Sequence, residues 1–185
     1  MTSTTTESPA LELKALKSLG ELAEALPLLL QDSREQIGLG QYFRRLPYQI
    51  ATLSEGDYGV SGVPDFAVEL KGSLDELAQN VIGNNRERLE REMNRLLPYK
   101  FRRLLVVGAT CDRDILSFPY RSDINPKSVL GSLYSWQAQF QLPFVLTPTR
   151  ESAASLIETW AIYHCRTIVQ AANHLLRAYW QATAK

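Results

Sequence analysis

From Gly56 to Lys71 the sequence reads GDYGVSGVPDFAVELK, which sets an aspartate, Asp57, eleven intervening residues and then Glu69-Leu70-Lys71 in one short segment. Two carboxylates and an amine are what metal-assisted hydrolysis of a phosphodiester requires. Carboxylate oxygens hold a hard cation such as Mg²⁺. The cation polarises the phosphodiester and lowers the pKa of a bound water. A lysine alongside orients that water or balances phosphate charge. Asp65 also precedes Glu69, but four residues along one strand separate the two Cα atoms by roughly 13 Å, too far to share an ion. Asp57 is therefore the better ligand.

The elements around these residues must bring Asp57 to Glu69. Tyr48 to Leu53 reads as a strand, Gly56, Gly59 and Gly62 mark a turn, and Phe66 to Leu70 returns as a strand, so the spacing predicts a hairpin. Side chains alternate along a strand, which puts Glu69 and Lys71 on one face and Leu70 on the other. Upstream, Leu11 to Leu26 has helical spacing interrupted at Gly20, Leu28 to Gln31 reads as a short strand ending at Asp32, and a helix is expected from about Glu35 to Arg44. Downstream come one or two amphipathic helices, parted near Gly83 and Asn84, and a central strand from Leu104 to Gly108. Then follow a helix opened by Asn125-Pro126, a strand from Phe144 to Thr147, and a long helix or helix pair from Thr149, as N-cap, to about Trp180. This order describes an α/β fold, a mixed central sheet covered on its faces by helices.

Composition bounds the rest. With 185 residues, 45% apolar and 22% charged, the chain has material for one α/β domain, expected over 10–185 behind a disordered tail at Met1 to Pro9. Twenty basic residues balance twenty acidic ones, so any nucleic-acid footprint must be local. Cys111 and Cys165 have no metal or redox spacing and read as reduced thiols of a cytoplasmic protein. No apolar run reaches membrane-spanning length, and the N-terminus lacks signal-peptide regions.

An isolated Glu-x-Lys on a strand is usually a solvated edge, and the neighbouring residues change that reading here. Gly56-Asp57, a hairpin, Glu69-Leu70-Lys71 and then Asp75 three residues later resemble the signature of the XPF family of structure-specific endonucleases, a branch of the PD-(D/E)xK superfamily. Asp32-Ser33-Arg34-Glu35 resembles that family's segment at the end of the first strand. Arg88-Leu89 with Glu92 resembles its helix motif, and Leu104 to Gly108 its apolar strand. The likeness runs from about Leu28 to Trp160. It implies a restriction-endonuclease-like fold and a Mg²⁺-dependent DNA endonuclease, with Mn²⁺ substituting, acting on branched or flapped DNA. By the same resemblance Asp57 and Glu69 would be the principal metal ligands, Lys71 the catalytic lysine, and Asp32 a further acidic ligand, with Asp75 and Arg34 supporting. Leu70 stands where the family has arginine, on the face away from the metal. Family members usually carry tandem helix-hairpin-helix modules after the nuclease, and nothing after Ser155 shows their glycine-rich hairpins. The resembled family also includes non-catalytic partners that have lost the carboxylates, whereas this chain keeps Asp57, Glu69, Lys71 and Asp75. Other members of the superfamily cut unbranched DNA, so plain duplex is the alternative substrate.

Seven basic residues between Arg86 and Arg103, among them Arg86, Arg88 and Arg91, form a stripe that would contact DNA phosphates; the alternative is a solvated helix face laced with Glu–Arg pairs. His164 and His174 are ten residues apart, not a metal-ligand spacing on one turn. Trp136, Trp160, Trp180, Tyr163 and Tyr179 suit packing or dimer contact rather than base stacking. The apolar content of the last helix, including Leu156, Ile157, Ile168 and Leu175, points to a homodimer.

Overall fold

The structure, a computed structural model, describes residues 26–35 and 38–183, with the side chains of residues 179, 180, 182 and 183 left out. The expected tail at Met1 to Pro9, the helix reaching back to Leu11, and the side chains of Tyr179 and Trp180 lie outside the described residues. The described residues fall into two units, 27–161 and a second to which Leu26 and residues from Ile162 onward belong.

The first unit is built on one six-stranded sheet. Its strands are β1 (Leu29–Asp32), β2 (Tyr48–Ala51), β3 (Tyr58–Val60), β4 (Val63–Lys71), β5 (Phe101–Val107) and β6 (Phe144–Thr147), in the order β2-β1-β3-β4-β5-β6. Pairing is parallel for β1–β2, β4–β5 and β5–β6, and antiparallel for β1–β3 and β3–β4. The interior position of β5, between β4 and the edge strand β6, explains its composition: Leu104, Leu105, Val106 and Val107 are all buried, as a parallel strand covered on both faces must be.

Helices α1 (Leu74–Gln79), α2 (Gly83–Arg95) and α4 (Pro126–Phe140) cover one face, closing a core of Ala67, Leu74, Leu89, Leu104, Val106 and Trp136. The short α3 (Asp112–Ser117), which the sequence pattern did not reveal, is capped by Asp114 accepting from the amides of Thr110 and Cys111. The opposite face carries Phe66, stacked on Phe101 at 4.6 Å, and Trp160 of α5 (Arg150–Thr183) against Phe101 at 5.8 Å. α5 is a single helix of 34 residues. In the first unit its buried stripe is Ala153, Ala154, Ile157 and Ala161. In the second unit the same helix exposes Tyr163, Ile168 and Leu175.

Several boundaries follow local chemistry. Asn125 accepts from Lys127 N at 2.9 Å with Pro126 at the first helical position, as expected. Thr149 caps α5 by accepting from Ser152 N at 3.2 Å. Two expectations are corrected. Tyr48–Ala51 is an edge strand paired in parallel with β1; the hairpin partner of β4 is instead β3, where Tyr58 and Val60 are buried, and only Ser61-Gly62 forms the turn. The expected helix from Glu35 to Arg44 is a single 3-10 turn at Gly40–Tyr42, with residues 36 and 37 outside the described residues. Side chains take the amides a helix would have used: Tyr58 Oη accepts from Leu39 N at 2.8 Å and Gln31 Oε1 from Gly40 N at 3.0 Å.

Glu158 completes this capture. Buried in α5, it accepts from the amides of Arg44, Arg45 and Leu46 at 2.9, 2.6 and 2.9 Å. Burial alone would raise its pKa, but these donors outweigh it and hold the carboxyl below its usual range. A carboxyl so depressed contributes stability above the unfolded pKa and loses it as pH falls through the folded one. Replacing Glu158 by Ala should cost about 3 kcal/mol, because buried amides bonded to a charged acceptor are left open, and Glu158→Gln should cost less. Denaturant unfolding followed by circular dichroism checks both.

Candidate active site

The Gly56-Asp57 pair has a geometric cause. Gly56 has φ +72°, and a Cβ there would stand 3.1 Å from the Val68 carbonyl oxygen, so only glycine lets the chain press this closely against β4. The next residue exploits the approach. Asp57 N donates to Val68 O at 2.9 Å, and its Oδ2 accepts from Leu70 N at 2.7 Å. Asp57 therefore straddles Glu69 from the neighbouring chain segment.

Glu69 and Lys71 share the face of Ala67, as alternation requires, and Lys71 Nζ donates to Glu69 Oε1 at 2.9 Å. Both are buried, 7% and 5% exposed, so the pair is desolvated rather than a surface contact. Leu70, 3% exposed, turns to the other layer. Among the described residues nothing donates to Oδ1 of Asp57 or Oε2 of Glu69.

These groups open on a cavity of about 630 Å³. Its lining holds seven carboxylates, from Asp32, Glu35, Glu55, Asp57, Glu69, Glu76 and Glu92, and five cations, from Arg34, Lys71, Arg88, Arg95 and Arg150, leaving a formal deficit of two positive charges. The electrostatics register this. Burial, and then the charge of Glu69, push the Asp57 carboxyl up to about 8. Burial and Glu69 also raise Glu92 on α2. Burial alone would lower Lys71, but the charge and hydrogen bond of Glu69 prevail and keep it raised, so the amine stays protonated.

Of the residues expected from the sequence, Asp57, Glu69, Lys71, Asp32, Arg34 and Arg88 line this cavity, and Asp75 and Arg86 do not. Asp75 points to the loop before α4, accepting from Arg121 N at 2.9 Å and pairing with its guanidinium at 3.3 Å. Arg86 ties α2 to α4 through Ser132 Oγ at 2.9 Å and Glu90 at 2.8 Å, with its guanidinium over Trp136. Both have their polar groups engaged away from any phosphate in the cavity. Asp32 is present but committed: its two oxygens accept from Arg34 N, Nε and Nη2 and from Leu53 N at 2.7 to 2.9 Å. The Arg34 side chain holds it down at about 2. Asp32 thus fixes the loop that forms the cavity rim, rather than offering a free oxygen to an ion.

Sequence reading assigned no site role to Glu76, Glu92 or Arg150. Glu76 had a visible signal, since Ser73-x-x-Glu76 is a capping-box spacing. Its carboxylate instead accepts from Gly72 N at 2.8 Å and approaches Lys71 at 3.9 Å. Glu92 stood with Arg88-Leu89 in the helix motif of the resemblance, which gave it no role beside the acids. Arg150 had none beyond following an N-cap at the end of the last strand.

A mixed sheet that carries an acid, an acid and a lysine on and beside β3 and β4, open to a cavity, is an arrangement suited to metal-assisted phosphodiester hydrolysis. The fold is similar to "XPF from Aeropyrum pernix" (TM-score 0.59, 20% identity, covering 84% of this chain and 73% of that one). It is similar also to "XPF from Aeropyrum pernix, complex with DNA" (TM-score 0.56, 21% identity, covering 76% and 66%). No curated protein matches in sequence. The ERCC4 domain family matches residues 31–159, and the chain belongs to that family of DNA nucleases.

The raised Asp57 carboxyl carries a stability signature. An acid whose folded pKa exceeds its unfolded value of about 3.8 favours folding below that value, and the contribution is lost as pH rises toward about 8. In chelator, Asp57→Asn should stabilise the protein at pH 8 by on the order of 1–2 kcal/mol while changing little at pH 4. Thermal unfolding at the two pH values checks the sign.

Proposed function

We propose that this protein is a divalent-metal-dependent DNA endonuclease in which Asp57 and Glu69 hold the ion. The supporting observation is the pair of oxygens without hydrogen-bond donors, Oδ1 of Asp57 and Oε2 of Glu69, lining one cavity that is two positive charges short. Among the described residues no group of three or more His, Cys, Asp or Glu side chains could hold a metal. A site of two carboxylates suits Mg²⁺, which keeps several waters and binds substrate phosphate oxygens through its remaining positions. Mn²⁺ accepts the same oxygen donors. When bound, such an ion supplies Lewis-acid polarisation of the phosphodiester and a nucleophilic water.

The chain's own groups do the rest. The protonated Lys71, braced by Glu69, presents a positive charge where the phosphodiester gains negative charge during displacement. Its raised pKa suits charge balance and not proton abstraction. Glu76 braces the lysine from the far side and fastens Gly72. Asp32, through Arg34 and Leu53, keeps the rim loop in place. Arg88, only loosely paired with Glu92 at 3.6 Å, is exposed at the mouth and available to backbone phosphate.

Branched or flapped DNA is the substrate form that the family's motifs favour, with plain duplex as the alternative. With Mg²⁺ or Mn²⁺, the protein should cut labelled fork or flap DNA faster than plain duplex. Asp57→Ala and Glu69→Ala should each lower cleavage at least about 10³-fold with unchanged circular dichroism. Either variant cutting at the wild-type rate would remove the assignment. DNA binding without cleavage in any metal would favour a scaffold role instead.

A homodimer belongs to the same proposal, supported by the exposed Tyr163, Ile168 and Leu175 of α5. Light scattering should return twice the mass of one chain, and a monomeric mass would end that part of the reading.

A further inference from the structure

This inference rests on the nuclease reading of the cavity and concerns which of its cations remains for the substrate. Four of the five are answered by carboxylates: Arg34 by Asp32 at 2.7 Å, Lys71 by Glu69 at 2.9 Å, Arg95 by Glu55 at 2.7 Å, and Arg88 by Glu92 at 3.6 Å. Arg150 differs. No described carboxylate lies within ion-pair distance of it, although it lines the same cavity. Its Nη2 would stand 3.5 Å from a Cβ built on Gly72, the residue after Lys71.

The fold explains how it gets there. β4, β5 and β6 run parallel, so Lys71 and Thr147 end their strands on the same side of the sheet, and Arg150 opens α5 just beyond Thr147. That is the edge of an α/β sheet at which ligands are usually received. The amides in the first turn of α5 add positive potential beside the guanidinium.

We propose that Arg150 grips a phosphate of the nucleic-acid backbone next to the scissile one, which would lie at the cation that Asp57 and Glu69 would hold, making it a substrate-positioning residue. A guanidinium presents paired N–H donors that match phosphate oxygens, which an ammonium does not reproduce. An arginine that lines the cavity and forms no ion pair among the described residues, with Glu151 beside it in sequence and Glu76 near Gly72, can make that contact without first breaking one.

The test is DNA binding by fluorescence anisotropy in chelator between 50 and 300 mM salt, with cleavage in Mg²⁺ measured alongside. Arg150→Gln should weaken binding about tenfold at low salt and flatten the slope of log affinity against log salt by about one unit, the loss of one phosphate contact. The melting temperature should stay within about 2 °C of wild type, since no described ion pair is lost. Arg150→Lys should keep the slope yet recover only part of the affinity. An unchanged slope in Arg150→Gln would overturn the inference, as would a fall of many degrees in melting temperature with binding lost equally at every salt. If the slope is unchanged while wild type still cuts DNA and Asp57→Ala does not, this inference alone fails. If wild type neither binds nor cuts DNA, both fail.

Discussion

Two hydrogen bonds, one donated by the Asp57 amide to the Val68 carbonyl and one accepted by the Asp57 carboxylate from the Leu70 amide, hold the acid astride Glu69. Everything else in the site is arranged around that fastening. Because the bonds are made to backbone, they depend on the position of β4 rather than on any neighbouring side chain. Because Gly56 must have positive φ and no Cβ, the approach is set one residue earlier in the sequence. The strain of bringing two acids together is electrostatic. It shows at Asp57, whose carboxyl is raised by burial and then by the charge of Glu69.

How much of this was legible in the sequence follows from what each feature depends on. β6, the Asn125–Pro126 start of α4, the Thr149 cap and the break at Gly83 were legible because each is fixed by local chemistry. The alternation of Glu69, Leu70 and Lys71 was legible because a strand has a period of two. The segment from Glu35 to Arg44 was not, because distant side chains, Gln31, Tyr58 and Glu158, supply the acceptors for its amides and those of Arg45 and Leu46. β3 was hidden because Gly59 sits between Gly56 and Gly62 in a glycine-spaced run, whereas the turn belongs to Gly62 and Tyr58 supplies a buried ring and a hydroxyl.

The same division applies to the site. Asp57, Glu69 and Lys71 announced themselves by spacing, and the structure brings all three to one cavity. Asp75 matched the family pattern equally well, but its position on α1 turns it to Arg121, a partner that no spacing could indicate. Asp32 lies in the right place with its oxygens spent on Arg34 and Leu53. The electrostatic character of the cavity emerges only from the assembled lining, since carboxylates from four separate stretches of chain meet there.

β4 also ties chemistry to folding through its register. Glu69 and Lys71 pair across the sheet with Leu104 and Val106, and Leu70 pairs with Leu105. A shift of one residue against β5 would carry the ionic pair to the layer of Phe66, Phe101 and Trp160, and push Leu70 into the cavity. Such a slip would strand two charges in an apolar layer, so a misaligned sheet is excluded by the very groups that the site requires. Proofreading of the strand alignment is thus done by the residues of the candidate site themselves.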